Sequence, residues 1–222
     1  MQTKLVAITQ PLVEGITTPG EFIAYAARVS NPANQNSTLT SAKLLKYLVK
    51  NAHWSPFEMV SATFEINTTR DIARQILRHR SFSFQEFSQR YADPTQLGFE
   101  YSEARLQDTK NRQNSIATQD QDLKDWWHDA QADLIELATD IYTAAIENGL
   151  AKEVARKCLP EGLVNSRLYM SGNIRSWIHY CSPAQGVRSA NGTQKEHMDV
   201  AHSAWPQLLE AIPELSDLIK EE

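Results

Sequence analysis

Between residues 60 and 67 apolar and polar positions alternate without a break: Val60, Ala62, Phe64 and Ile66 against Ser61, Thr63, Glu65 and Asn67. A period of two is that of a half-buried strand. Residues 4–9 alternate in the same way and predict an opening strand that Pro11 ends. Residues 166–171 predict another. Helical spacing takes over elsewhere. Thr18, Pro19 and Glu21 form a start signal for a helix running to Ser30, where Asn31 and Pro32 stop it. Residues 40–51 place Leu44, Leu45, Tyr47 and Leu48 on the buried side of an amphipathic helix. Residues 122–148 read as a long helix, with Trp126, Leu134, Leu137, Ala138 and Ile141 in apolar register and Gly149 as its stop. Trp126 and Trp127 read as core or subunit-interface packing.

Shorter elements complete the pattern. Ser55, Pro56 and Glu58 supply an N-cap hydroxyl, a proline at the first helical position and a carboxylate at the third. The turn they open must be brief, because the strand follows at once, and its N–H groups suit an anion. Residues 151–160 predict a short helix closed by Pro160. Residues 190–197 start a final helix through Trp205, capped by Thr193 with Glu196 at the third position. Residues 92–105 are turn-like, and 106–121 are almost wholly polar, which predicts a solvated loop. No internal repeat is visible. The expectation is one α+β domain over residues 1–222, a central, mostly antiparallel sheet flanked by helices.

The region from 70 to 91, RDIARQILRHRSFSFQEFSQRY, holds five of the chain's twelve arginines. Wound as a helix, it puts Arg70, Arg74 and Arg78 on one face, beside Asp71 and Gln75, and Ile72, Ala73, Ile76 and Leu77 on the other. The pattern fails after Arg80, where Ser81, Phe82, Ser83 and Phe84 suit an extended segment. A donor-rich loop follows, with Gln85, Glu86, Ser88, Gln89 and Arg90 within six residues. Guanidinium, hydroxyl and backbone N–H groups together suit a phosphate or a pyrimidine edge.

Charge and cysteine usage narrow the chemistry. A net charge of −5 argues against a general nucleic-acid binder, so the arginine cluster serves something local. The only cysteines, Cys158 and Cys181, lack metal-ligand spacing and suggest neither a metal site nor a disulfide framework. The N-terminus lacks the apolar core of a signal peptide, and no run is long enough to span a bilayer, which together imply a cytoplasmic protein. No Ser-His-Asp arrangement and no glycine-rich phosphate loop is present. The residues alone describe a binder of polyanionic, planar ligands.

Arg78-His79-Arg80, seven residues and then Ser88 resembles the signature of the flavin-dependent thymidylate synthases. HWSPFEM at 53–59, VARKCLP at 154–160, NIRSWIH at 173–179 and VRSANGTQKEH at 187–197 resemble other segments of that family. The resemblance implies reductive methylation of dUMP to dTMP, with 5,10-methylenetetrahydrofolate giving the carbon and NADPH reducing FAD. It implies no attack by an enzyme cysteine, and a homotetramer whose sites lie where subunits meet.

Residue roles follow from the same likeness. Arg78, His79, Arg80 and Ser81 are placed at FAD, with Ser30, His53, Ser55 and Glu58 from earlier segments and Glu86, Asn173, Arg175 and His179 from later ones. Arg74, Gln75, Arg78, Glu86 and Phe87 are placed around dUMP. Ser88, Gln89, Arg90 and Arg156 join them, with Ser88 and Arg90 toward the phosphate. Arg188 is the catalytic candidate, a guanidinium stabilising negative charge that develops on the pyrimidine. CSPAQG at 181–186 lengthens the gap between His179 and Arg188, and Arg188 keeps its place if those residues loop out. Two rivals differ in kind: a family member that binds flavin or nucleotide but has lost methyl transfer, and a non-enzymatic nucleotide- or RNA-binding module using the Arg70–Arg90 cluster with Phe82, Phe84 and Phe87.

Overall fold

A computed structural model of the protein describes residues 2–189 and 192–216. Four strands form one antiparallel sheet in the order β1-β2-β6-β3: β1 (Gln2–Ile8), β2 (Ser61–Thr69), β6 (Asn165–Asn173) and β3 (Ser83–Glu86). The alternation over 60–67 fixes the register. Phe64 sits across from Leu5 on one side and Met170 on the other, and Phe64, Ile66, Leu168 and Met170 are wholly buried on one face. Each such aliphatic or aromatic side chain contributes roughly 1.5–3 kcal/mol when fully buried.

Helices cover that face. α1 (Pro19–Ala27) begins with the capping box its sequence predicts: Thr18 Oγ1 accepts from Glu21 N at 3.0 Å, and the Glu21 carboxylate accepts from Thr18 N. α2 (Ser41–Lys50), α3 (Arg70–Ile76), α6 (Ile174–Tyr180) and α7 (Lys195–Ala211) add Leu45, Ile72, Ile76, Trp177 and Leu208 to the same core. Gln207 pins α7 to the edge strand, accepting from Leu5 N at 2.8 Å and donating to Thr3 O at 3.1 Å. A second, smaller core lies under α4 (Gln121–Glu147) and α5 (Lys152–Ala155), where Ala138, Tyr142, Ala155, Leu159 and Val164 are buried.

The architecture is the expected α+β one, with several local corrections. Ser55 caps nothing: a 3₁₀ turn spans Ser55–Met59 with Trp54 at its boundary, and Glu58 pairs instead with Arg175. Tyr47 is exposed while Leu45 and Leu48 fill the α2 contact. α1 ends at Ala27, before Ser30, where Arg28 turns to donate to Ser37 O and Thr40 Oγ1. The polar segment 106–121 is no plain loop, because β4 (Arg105–Gln107) and β5 (Ser115–Ala117) pair as a hairpin within it. At α7 the boundary residue is Gln194, Thr193 makes no cap, and the helix continues past Trp205 to Ala211. Ala190 and Asn191 of the ANGTQKEH string lie outside the described residues.

The central helix is also shorter than its spacing suggests. After Ile76 the bonds tighten, Arg78 N to Gln75 O and His79 N to Ile76 O, and the chain turns. The turn carries Phe82 inward against Trp177, with 4.8 Å between ring centroids. Phe82 lies over Gly172, where a β-carbon would collide with its ring. Gln85 and Glu86 consequently belong to β3 rather than to a loop.

Candidate active site

Arginines gather where β2 passes into α3 and in the loop after β3. α3 starts directly after β2, so Arg70 is buried at the junction and not on a solvent face: its N–H donates to Val164 O, and its guanidinium lies 3.4 Å from Glu86 and 3.3 Å from Glu161. Ser166 donates to the same Glu86 oxygen at 2.8 Å. Arg74, one turn on and exposed, shares Glu161 at 3.0 Å. Glu86 is thereby held from two sides on the strand that leads into Phe87 and Ser88.

Beyond β3 the loop stays close to the 152–156 segment. Lys152 Nζ donates to Tyr91 O at 2.9 Å, and Arg90 pairs with Glu153 at 3.2 Å. Ser88 and Arg90 are exposed there, and Arg156, three residues after Glu153, is half-buried. Gln89 turns inward and is buried, its Nε2 without a hydrogen-bond partner among the described residues. Hydroxyl and guanidinium donors from two distant stretches thus share one surface.

The other gathering point is an open cavity of about 410 Å³ at the C-terminal end of α6. His79, Ser81 and His179 line it, together with Tyr180, Ser189, Thr193 and His197. Trp54 packs on His179 at 4.5 Å between rings, and the Glu58–Arg175 ion pair lies one helical turn back. Asn173 is the α6 cap, accepting from Ser176 N at 2.9 Å, so it positions this helix directly. Arg78 and Arg80 bracket His79 as exposed guanidinium groups with no ion pair among the described residues. His53 and Ser30 stand apart: both are exposed, and the His53 ring meets only Tyr47, at 6.2 Å, among the aromatic contacts.

Sequence reasoning missed Tyr180 and His197. The Tyr180 hydroxyl and His197 Nε2 are hydrogen-bonded at 3.1 Å, both residues are buried, and the His79 ring lies 5.0 Å from Tyr180 and 5.5 Å from His197. Burial lowers the His79 and His179 pKa values, with the Arg175 charge adding to the second. Burial, and then the nearby His79, brings His197 down to about 4. The histidines of the cavity wall are therefore neutral imidazole at pH 7. A signal for His197 existed, since Val200, Ala201, Ala204 and Trp205 follow it at helical spacing on a buried face.

The long 181–186 segment loops out. Val187 N donates to Tyr180 O at 2.8 Å and Gly186 N to Ser182 O at 3.0 Å, closing the excursion at its base, and Pro183, Ala184 and Gln185 are exposed. Gly186 sits so close to the carbonyls of His179 and Tyr180 that no β-carbon fits. Arg188 returns half-buried beside Cys181, whose thiol burial pushes far up and the Arg188 charge draws partly back. A thiol so buried is not a nucleophile at neutral pH. Cys158 is equally structural, its Sγ directed at Ala155 O and Ala138 O. Among the described residues no group of three or more His, Cys, Asp or Glu could hold a metal ion, and no helix is long and apolar enough to cross a membrane.

Known proteins match this arrangement along nearly its whole length. The family model described as thymidylate synthase complementing protein matches residues 11–214. A probable flavin-dependent thymidylate synthase of Paramecium bursaria Chlorella virus 1 is 47% identical over 216 residues, covering 97% of each chain. The flavin-dependent thymidylate synthase of Synechocystis sp. is also 47% identical, covering 96% of each. Among solved structures, a UMP/dUMP methylase, PolB of Streptomyces cacaoi bound with 5-Br dUMP, superposes with a TM-score of 0.76 at 24% identity, over 96% of this chain and 91% of that one, a likeness of fold. On the family model and the full-length matches, the chain belongs to the flavin-dependent thymidylate synthase family.

Proposed function

We propose that the protein methylates dUMP to dTMP, taking the carbon from 5,10-methylenetetrahydrofolate and using FAD reduced by NADPH. The observation that carries this reading is the uncharged His79 at the cavity, flanked in sequence by the exposed Arg78 and Arg80. That donor set fits a flavin dinucleotide: guanidinium for the pyrophosphate, and neutral imidazole with hydroxyls beside a space open enough for a planar ring system. Arg78, His79, Arg80, Ser81, Asn173, Arg175 and His179 would hold it, with His53, Ser55, Glu58, Ser30 and Glu86 from the bordering segments. When bound and reduced, the flavin supplies the hydride.

The nucleotide falls to the loop after β3. Ser88, Arg90 and Arg156 offer hydroxyl and guanidinium donors to its phosphate, with Arg74, Gln75, Glu86, Phe87 and Gln89 around them. Arg188 supplies positive charge where the pyrimidine becomes electron-rich, and the buried, protonated Cys181 beside it takes no covalent part. On this reading, complete sites take groups from neighbouring subunits. The assembly we propose is the homotetramer of the family likeness, and the exposed apolar stripe on α4 offers a surface for contact between copies. We place the enzyme in the cytoplasm, acting on free nucleotide, folate and NADPH rather than on nucleic acid or membrane.

The test is spectroscopic, then chemical. Purified protein should show an oxidised-flavin spectrum that NADPH bleaches anaerobically, and should form dTMP from dUMP once methylenetetrahydrofolate is added. Arg188→Ala should keep the flavin spectrum and lose about 10²–10³-fold in kcat. Wild-type rates in that variant would remove Arg188 from the chemistry. A colourless protein that neither takes up FAD nor oxidises NADPH would overturn the whole reading, and bleaching without dTMP would leave a flavin-binding protein without methyl transfer.

A further inference from the structure

The hairpin of β4 and β5 is fastened to the start of α7, and no part of the functional reading uses that fastening. Arg105 on β4 reaches Glu196 in the first turn of α7 with 2.6 Å between Nη2 and Oε1, and both side chains are largely buried. Lys195 stands 3.9 Å from Glu103, just before the hairpin. A second contact is independent of these charges: Gly192 has φ +81°, and a β-carbon there would sit 3.1 Å from the Gln113 side chain in the hairpin's connection. Between the two contacts lies Gln194, whose Oε1 accepts from Gln75 Nε2 at 2.7 Å.

We infer that the Arg105–Glu196 pair is a clasp through which the hairpin positions Gln194, and Gln194 in turn orients the Gln75 amide toward the pyrimidine nucleotide. This rests on the reading of Gln75 as a nucleotide-binding residue. A largely buried ion pair adds little net stability, since desolvation offsets most of the attraction, but it fixes geometry; Glu103, 3.8 Å from Arg105 and 3.9 Å from Lys195, joins the same cluster. An amide rotates freely about its last side-chain bonds unless a neighbour holds it. Gln194 is that neighbour, and it occupies the boundary position of a helix whose first turn the clasp anchors. Arg105, Glu196 and Gln194 are positioning residues on this account. The polar composition of the hairpin follows as well, because its task is to hold a loop in register rather than to fill a core.

Two measurements on the holoenzyme test it. Arg105→Ala should speed amide hydrogen exchange over residues 192–198 and raise the KM for dUMP about tenfold, with flavin content and its bleaching by NADPH unchanged. Arg105→Lys, which keeps the charge beside Glu196 and Glu103, should recover most of the loss, and Gln194→Leu should reproduce the KM effect without faster exchange. Unchanged exchange in Arg105→Ala overturns the clasp. Faster exchange with KM within twofold of wild type overturns its link to the nucleotide, and equal loss of flavin shows general loosening instead. A wild-type protein that fails to bind dUMP removes the functional reading and this inference together, whereas wild-type binding with an indifferent variant removes the inference alone.

Discussion

Trp177 and Trp126 sit in the two parts of the molecule that differ most. Trp177 is fully enclosed between sheet and helices, packed on Phe64 at 4.7 Å and Phe82 at 4.8 Å, with its indole N–H donating to Ala62 O at 3.1 Å. Trp126, on α4, is 62% exposed, and Leu134, Leu137 and Ile141 continue its stripe at 47%, 58% and 47%. One region closes its core within a single chain. The other carries the same kind of apolar periodicity and leaves it facing outward, so the helix spacing that specifies a buried face does not say which chain buries it.

Substituting the two tryptophans separates the regions most sharply. Trp177→Ala removes the largest wholly buried side chain of the sheet core and the indole donor to Ala62 O, and should destabilise by about 3–5 kcal/mol. Trp126→Ala should stay within roughly 0.5 kcal/mol in a dilute, dissociated sample, since exposed positions seldom matter more. Urea unfolding followed by circular dichroism checks both. Equal losses would mean that α4 belongs to the same cooperative core.

A smaller effect comes from protonation inside the sheet-side region. His197 has a folded pKa of about 4, below the ordinary histidine value of about 6.5. Between those values the unfolded chain takes up a proton that the folded chain refuses, so stability is full above pH 6.5 and falls as pH drops toward 4. A gap of that width corresponds to a loss on the order of 3 kcal/mol. His197→Gln should flatten this part of the stability–pH curve while lowering stability at pH 7 by less than Trp177→Ala. An unaltered slope in the variant would assign the acid loss to other groups.

The contrast also explains what could be read beforehand. Period-two alternation over 60–67 named the central strand because both of its neighbours are strands and its faces differ. Thr18 and Glu21 named a helix start because a capping box is a local device. Arg70 was misplaced for a non-local reason: helical spacing put it with Arg74 and Arg78, but Glu161, which draws it in, lies 91 residues on, and nothing local marks the strand–helix junction as buried. The 105–117 hairpin left almost no apolar signal, since Leu106 and Ile116, its one cross-strand apolar pair, are both exposed. The string around Arg78, His79 and Arg80 points to the turn that brings His79 to the cavity, whereas Tyr180 and His197 look like ordinary core residues. They are core residues, and they shape the site from behind.

The last comparison concerns the α4 stripe itself, where the expected effect on the folded chain is the smallest. Leu137 is exposed at the centre of the stripe, and the buried contacts of α4 are made by Ala138 and Tyr142 on the adjoining face. Leu137→Glu therefore removes no intrachain packing and should leave the dissociated chain's unfolding midpoint within about 0.5 kcal/mol of wild type. If a second copy covers the stripe, the same carboxylate must enter an apolar contact, and an unpaired charge there is far more costly than on a free surface. The variant should accordingly sediment as a smaller species than wild type at equal concentration, and because the proposed sites draw on more than one subunit, dTMP formation should fall with the oligomer. Wild-type assembly in Leu137→Glu would show that the stripe is a tolerated exposed surface. Retained activity in a dissociated variant would show instead that one chain holds a complete site, and would overturn the sharing of sites between subunits.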